Sequence, residues 1–515
     1  MTTVNSLADL IESSLVKHAQ KPAFHCLGQT LTFSDIDKKS YALALWLQQH
    51  SGLEPGDRIV IQLPNLIQYP IAAYAALRAG FVLVNTNPLY TTREMQHQFN
   101  DSGAKAIIIL ADFYPKLADI QAQTQIKTVI ITQAADLLSS APPPLAPEGT
   151  HQLLDIINAS NTTTLAPRRN QALSDVCVLQ YTGGTTGVSK GAMLTNDNII
   201  SNAQQTAPRL GIDQEHGSDI FVCPLPLYHI YAFTVNMVML ACSGNLNILI
   251  PNPRDLEAFI AAIKPFKFSG FAGLNTLFVG LCSQPEFHKL DFSALKITIS
   301  GGTALTQSAA DVWMNVTGCS IAEGYGLSET SPVLCINEPG NEVVGTVGLP
   351  LPNTLIKFID ADGADATEGE LVAKGTQVMK GYWQREDETA KCMTADGFFR
   401  TGDIGHALPS GHIKIVDRLK DMIIVSGFNV YPNEVEQVIT QHPSIVEAAV
   451  IGEACEHSGE KISAYVTIQN DISENELIAY CKKYLTAYKV PKKVVVVDEL
   501  PKSTVGKILR RELRK

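Results

Sequence analysis

The chain is expected to be an α/β protein. It should have a large N-terminal domain of parallel α/β sheets with a small β-barrel subdomain, and a separate α+β C-terminal domain. Three observations predict this. From Arg58 to Glu323 short apolar runs alternate with amphipathic segments, the rhythm of parallel strands joined by right-handed crossovers. From Glu338 short strands are punctuated by Gly345, Gly348, Pro350, Pro352, Gly363, Gly369, Gly375 and Gly381, as in a small barrel or curved sheet. After the charged break Asp417-Arg418-Leu419-Lys420-Asp421, helix and strand signals recur over a stretch long enough for a further domain. At 515 residues the chain also exceeds what one core supports.

Taken in order, Leu7 to Ala19 and Ser34 to Gln49 have helical spacing, with Ser34 as the expected N-cap of the second. Arg58 to Leu63 reads as a strand, Ile67 to Ala79 as a helix closed by Gly80, and Phe81 to Val84 as the next strand. Met95 to Asn100 is helical, and Ala106–Leu110 and Val129–Thr132 are apolar strands. Pro142-Pro143-Pro144 and the Asn/Thr-rich segment from Asn158 to Pro167 read as surface loops. Strands follow at Val176–Gln180, Ile220–Cys223, Leu246–Ile250, Phe268–Ala272, Ile297–Ile299 and Ser320–Glu323. Near the end, Pro432–Gln441 and Glu474–Leu485 are helical, while Ala448–Ile451, Ser463–Ile468 and Val494–Val497 are strands.

Composition narrows the function. A hydrophobic content of 45% with 18% charged residues describes a folded globular chain. The net charge of −11 argues against a general nucleic-acid binder, which would carry a broad basic face. Ten cysteines lie singly, without a C-x-x-C pair or zinc spacing, and read as reduced thiols of a cytoplasmic protein. Met1 to Ala8 lacks the pattern of a secretory signal. Ile220 to Pro253 holds no Asp, Glu, Lys or Arg, but prolines, a glycine and asparagines interrupt it. It reads as buried strand–helix–strand bordering an apolar ligand cavity, not as a membrane span.

The stretch from Tyr181 to Gly191 carries the first chemical signal. It packs four glycines, three threonines and one lysine behind an apolar strand. Backbone N–H groups, hydroxyls and a mobile cation suit a phosphate, although a Gly/Thr-rich surface turn has the same composition. Walker A spacing and the Gly-x-Gly-x-x-Gly spacing are both absent, so a P-loop kinase or a dehydrogenase is not favoured. Four further stretches stand out: Gly324-Tyr325-Gly326-Leu327-Ser328-Glu329-Thr330, Thr401-Gly402-Asp403, Ser426-Gly427-Phe428-Asn429-Val430-Tyr431-Pro432, and Pro501-Lys502-Ser503-Thr504-Val505-Gly506-Lys507-Ile508. A tyrosine between glycines can lie against a base. A carboxylate at a strand end can accept both hydroxyls of a ribose.

In this order the stretches resemble the adenylate-forming superfamily of acyl-CoA synthetases, luciferases and peptide adenylation domains, across essentially the whole chain. The resemblance is strongest to bacterial long-chain fatty-acid–CoA ligases. It is carried also by Pro64-Asn65-Leu66-Ile67-Gln68-Tyr69-Pro70, Val84-Asn85-Thr86-Asn87-Pro88-Leu89-Tyr90-Thr91, Pro226-Leu227-Tyr228-His229-Ile230, Asn275-Thr276-Leu277-Phe278, Val416-Asp417-Arg418 with Lys420-Asp421-Met422-Ile423, and Gly506-Lys507-Ile508-Leu509-Arg510-Arg511-Glu512-Leu513.

The resemblance implies ATP-dependent activation of a medium- to long-chain fatty acid through an acyl-adenylate, then transfer to coenzyme A. It implies that Thr182, Gly183, Gly184, Thr185, Thr186, Gly187 and Lys190 hold the phosphates. Thr185 and Glu329 would place Mg²⁺. Gly301, Gly302, Thr303, Gly324, Tyr325, Gly326 and Ser328 would frame the nucleotide, and Asp403 and Arg418 the ribose. Lys507 would bridge carboxylate and phosphoryl oxygens, as a cation given its ordinary pKa of ~10.4. Lys420 would be the hinge for a domain rotation that brings Gly427 to the pantetheine tunnel. His229 and Phe233 would border the acid, with a core histidine an equal reading of His229. Ser328 stands where many relatives have threonine, and Thr303 where Ala or Met is commoner. The implied units are an adenylation domain over residues 1–417, a hinge over 418–422 and a C-terminal domain over 423–515. Peripheral contact with the inner face of the cell membrane follows from the substrate. Alternatives are a ligase for another carboxylic acid, transfer to a carrier protein, and a non-catalytic acyl- or nucleotide-binding regulator.

Overall fold

The computed structural model describes residues 4–138, 146–159, 164–166, 171–182, 189–455, 457–503 and 507–514. Two large sheets face each other across one core. The first runs His151–Gln152, Thr128–Thr132, Ala106–Leu110, Arg58–Gln62, Val82–Asn85, Val176–Thr182 and Lys190–Thr195, parallel until the last, antiparallel pair. The second has nine strands. Its parallel centre consists of Ile321–Gly326, Ile297–Ser300, Gly270–Gly273, Ile220–Cys223, Leu246–Leu249 and Pro22–Cys26. The helix Gln68–Ala79 is buried on every side between the two sheets, and one hydrophobic cluster takes side chains from both. Parallel strands buried on two faces read as continuous apolar runs, which is why they were legible in sequence.

A five-stranded antiparallel sheet follows, from Leu355–Ile359 to Ile413–Arg418. The last domain is a separate sheet around the hairpin Ile445–Cys455 and Gly459–Ile468, covered by Pro432–Thr440 and Glu474–Tyr484 around its own core.

The sequence reading differs from the structure at several points. The second helix, Phe33–His50, is capped by Thr32 rather than Ser34. Thr32 and Asp35 form a reciprocal capping box, which satisfies two orphan donors at once. A hairpin, Pro22–Cys26 with Gln29–Thr32, went unread between the first two helices. Its two-residue turn has positive φ at both Leu27 and Gly28, the conformation that matches strand twist. The charge-free segment is indeed strand, helix, strand, but Phe233–Leu240 is a π-helix. The proline-rich loop and half of the Asn/Thr-rich loop lie outside the described residues. Among the described residues no helix is long and apolar enough to cross a membrane.

Candidate active site

The carboxyl ends of the parallel strands open into a cleft of about 2940 Å³, closed on the far side by the C-terminal domain. Ligands in open α/β sheets bind at such strand ends because the chain there is free to form loops. Asn65 ties the two sheets together at this edge. Its amide donates to the carbonyls of Cys223 (3.1 Å) and Leu225 (2.8 Å), and its oxygen accepts from Leu227 N–H (2.8 Å). A second chain of bonds runs from Tyr69 through Asn85 and Gln180 to the carbonyl of Tyr228. Both lead to the loop that presents His229.

His229 caps the short helix Ile230–Ala232, its Nδ1 accepting from Tyr231 N–H at 3.3 Å. That bond leaves the proton on Nε2. Burial, with the positive charge of Lys507 nearby, lowers the imidazole to about 4, so it is neutral at pH 7.

Asp403 and Arg418 stand directly opposite each other on the antiparallel strands Phe399–Ala407 and Ile413–Arg418. Arg418 Nε lies 3.6 Å from Asp403 Oδ1, and the Tyr325 phenol donates to Asp403 Oδ2 at 2.5 Å. Tyr325 and Asp403, 78 residues apart in sequence, therefore form one unit. Burial and the adjoining Asp403 charge push the phenol well above its ordinary pKa, so it remains a donor.

Glu329 sits in the turn Ser328–Thr330 after the strand Ile321–Gly326. Its carboxylate accepts from Tyr382 Oη at 2.7 Å, and its backbone carbonyl accepts from Met379 N–H at 2.7 Å. Burial raises its pKa, while the Tyr382 bond and the charges of Lys190 and Arg418 oppose that rise. Lys190 lies 4.7 Å over the Tyr382 ring and pairs with Glu388 at 2.7 Å. Tyr382 and Glu388 were missed by sequence reasoning. Their signal was the aromatic pair Tyr382-Trp383 after Gly381, which continues the Lys190–Thr195 strand through Met193 N–H to Gly381 O and Trp383 N–H to Gly191 O.

Lys190 begins a strand, and pairs with Thr182 of the antiparallel neighbour. Thr182, Ser189 and Lys190 line the cleft, and Ser189 O lies 3.0 Å from His97 Nε2. Gly183, Gly184, Thr185, Thr186 and Gly187 lie outside the described residues.

Lys507 reaches the cleft from the C-terminal domain. Ser503 N–H donates to Lys507 O at 2.7 Å, and Lys507 N–H to Ser503 Oγ at 3.1 Å. The expectation of a permanent cation needs correction for the ligand-free protein. Burial, joined by Arg418, Lys420 and Arg510, lowers the ammonium to about 7 against the pull of Asp403.

Gly301, Gly302, Thr303, Gly324, Gly326, Ser328 and Lys420 also line the cleft. Two expected residues do not. Phe233 is fully buried in the main core. Gly427, with Ser426, forms the exposed two-residue turn between Ile423–Val425 and Phe428–Val430, with φ of +83° and no atom of the described residues within 4 Å of a would-be Cβ. Glu323 was unread in sequence and lines the cleft. It accepts from Leu305 N–H at 3.0 Å, and burial raises it to about 8. A separate wall is apolar: Leu210, Leu225, Val235 and Val333, with Thr206 among them. Asn202 fixes that wall by bonding both the N–H and the carbonyl of Val333.

Residues 11–383 match the model for the AMP-binding enzyme family, and residues 434–507 that for the AMP-binding enzyme C-terminal domain. The chain is 44% identical to the long-chain-fatty-acid–CoA ligase of Yersinia pestis and 43% to that of Haemophilus influenzae, over 99% of this chain and 94% of each relative. Among solved structures it resembles ATP-bound MatB from Rhodopseudomonas palustris, with a TM-score of 0.88 and 28% identity over 99% of this chain and 98% of that one. The anthranilate–CoA ligase AuaEII in complex with anthranoyl-AMP shares the fold, with a TM-score of 0.91 at 24% identity over 100% of this chain and 97% of that one. The cleft and these likenesses together place the chain in the AMP-binding, adenylate-forming enzyme family.

Proposed function

We propose that this enzyme activates medium- to long-chain fatty acids with ATP and transfers the acyl group to coenzyme A. The carrying observation is the convergence of Lys507, Glu329 and the Tyr325–Asp403–Arg418 unit on one cleft that also has an apolar wall. The names of the relatives support the acid and the thiol.

In the first step a carboxylate oxygen attacks the α-phosphorus of ATP. The bond from that phosphorus to the α,β-bridging oxygen breaks, and pyrophosphate leaves. Two anions must meet, so cationic groups already in place lower the barrier. Lys507 is held to bridge them, and both anions favour its charged form. Asp403 accepts from the ribose hydroxyls with Arg418 beside it, and Tyr325 packs against the base. In the second step the thiol sulfur attacks the acyl carbon, the bond to AMP breaks, and the thiol proton passes to solvent. His229, as the Nε2–H tautomer, can donate to the acyl oxygen without adding charge.

A Mg²⁺ ion fits the donors available. Glu329 is a buried carboxylate whose pKa burial raises, a group that a hard cation would hold ionised, and Mg²⁺ needs only one or two carboxylates beside phosphate and water. Among the described residues no cluster of three or more His, Cys, Asp or Glu could form a cage. Bound there, the ion would neutralise phosphate charge.

The division into residues 1–417, a hinge at 418–422 with Lys420, and 423–515 belongs to this reading. So do Gly427 at the thiol tunnel after rotation, cytoplasmic location and peripheral membrane contact. A chain-length series of acids, read as thioester with CoA titrated, tests the proposal. Thioester rising from C8 to C18 acids is expected. Adenylate without thioester at any CoA concentration would contradict it.

A further inference from the structure

Arg510 lies outside the roles assigned above, yet it is the most heavily bonded cation among the described residues of the C-terminal segment. Its Nε donates to Glu436 Oε1 at 2.9 Å, and its Nη2 to Glu436 Oε2 at 2.7 Å and to Asn433 Oδ1. A two-pronged pair of this kind fixes orientation as well as position. Glu436 is itself fixed, because its Oε1 accepts from Val450 N–H at 2.7 Å. Arg510 Nη1 lies 3.4 Å from Asp417 Oδ1 and 3.5 Å from Asp421 Oδ2.

Asp417 belongs to the other side of the interface. It ends the strand Ile413–Arg418 of the antiparallel sheet, and its side chain is fully buried. Its Oδ1 accepts from Arg418 N–H at 2.7 Å, and its Oδ2 from Asn433 N–H at 2.7 Å. One carboxylate thus holds the backbone of Arg418, the start of the helix Pro432–Thr440, and Arg510.

Arg510 in turn roots the segment that presents Lys507. Leu509 N–H donates to Pro501 O at 2.8 Å, Lys502 bridges Ile508, and Lys502 Nζ pairs with Glu447 at 2.8 Å. The residue next to this closed base is Arg510. We infer that Arg510, gripped by Glu436 and by Asp417 across the domain boundary, is a positioning residue that holds Lys507 at the reacting atoms. The inference rests on the adenylating role proposed for Lys507.

Positioning errors of about 1 Å can cost about 10²-fold in rate. The test is fatty-acid-dependent ATP–pyrophosphate exchange by Arg510→Ala, Arg510→Lys and Asp417→Asn, beside thioester formation from supplied acyl-adenylate. Arg510→Ala should lower the exchange kcat by about 10- to 100-fold, with KM for ATP within about threefold. Arg510→Lys, which keeps charge without the fork, should lose less, and Asp417→Asn about 3- to 10-fold. Thioester formation from the adenylate should stay within about threefold.

The discriminating arm is Lys507→Ala with and without Arg510→Ala. If Arg510 acts through Lys507, adding its loss costs less than about twofold. Multiplying losses, or equal loss of both half-reactions, would overturn the inference. If Arg510→Ala fails to fold, the same cycle is read with Arg510→Lys. If Lys507→Ala alone retains full exchange, the role of Lys507 falls first and the inference with it. If only the Arg510 variants are silent, the role of Lys507 stands and the inference falls alone.

Discussion

The ammonium of Lys507 makes a pH prediction with a definite sign. In the ligand-free enzyme, burial and the neighbouring Arg418, Lys420 and Arg510 lower it from 10.5 to about 7. Its cationic form is therefore lost as pH rises through 7. At pH 8 roughly one-tenth of such a group is protonated, and at pH 9 roughly one-hundredth. Since kcat/KM reports the free enzyme, kcat/KM for ATP in pyrophosphate exchange should fall roughly tenfold per unit above pH 7. The bound complex behaves differently. An anion within ~4–6 Å raises a cation's pKa by ~1–3 units, so the alkaline limb of kcat should move up by about that much. Lys507→Arg should be slower at pH 7 but lack the limb, because a guanidinium stays charged throughout the range. Initial rates from pH 6 to 10 at saturating and limiting ATP measure both limbs. A kcat/KM flat to pH 9, or a limb that survives in Lys507→Arg, would refute the reasoning.

Three further outcomes are expected. Tyr382→Phe removes the phenol donor to Glu329 Oε1, and the Mg²⁺ concentration for half-maximal exchange should rise about 3- to 10-fold, as removal of a group that orients a ligand does. Thr206 is buried in the apolar wall, and its hydroxyl has no partner among the described residues. Thr206→Val removes that hydroxyl, so KM for a saturated acid should fall by about two- to fivefold, read from exchange rates against acid concentration. Glu323, raised by burial to about 8, is neutral in the fold at pH 7 but ionised when unfolded, so it loses stability as pH rises from its ordinary 4.5 towards 8. Glu323→Gln should match the wild type near pH 4.5 and exceed it increasingly up to pH 8, as followed by thermal unfolding. A constant difference across that range would contradict this.

The fold was legible where burial wrote itself into composition. Ala106–Leu110 is buried at every position and reads as an unbroken apolar run, and its bounds were recovered to the residue. Short edge elements left less: Gln29–Thr32 is four residues with one buried side chain, too little for periodicity to register. At the site, Tyr325, Glu329, Asp403 and Lys507 were recoverable as motifs because glycines stand beside or near each in sequence, and Arg418 because it belongs to the charged break after Val416. Partnerships across distance were not. Nothing in the residues near Glu329 indicates that the phenol it accepts from lies 53 residues on, at Tyr382. Phe233 shows another limit. The π-helix from Phe233 to Leu240 has a wider turn than an α-helix and changes which side chains face a given side. Within it Val235 lines the cleft, while Phe233, two residues earlier, is absent from the cleft lining and packs in the core. The charge state of Lys507 was equally invisible, because it depends on burial beside Arg418 and Arg510 that only the assembled domains create.

The central claim is that Lys507 serves the first half-reaction and not the second. Its most direct test compares Lys507→Ala with the wild type in two assays, ATP–pyrophosphate exchange with a long-chain acid and acyl-CoA formation from supplied acyl-adenylate. Exchange should fall by about 10²- to 10³-fold, the range found when one group stabilising developing charge is removed, while thioester formation stays within about threefold. Equal loss in both assays would contradict the account.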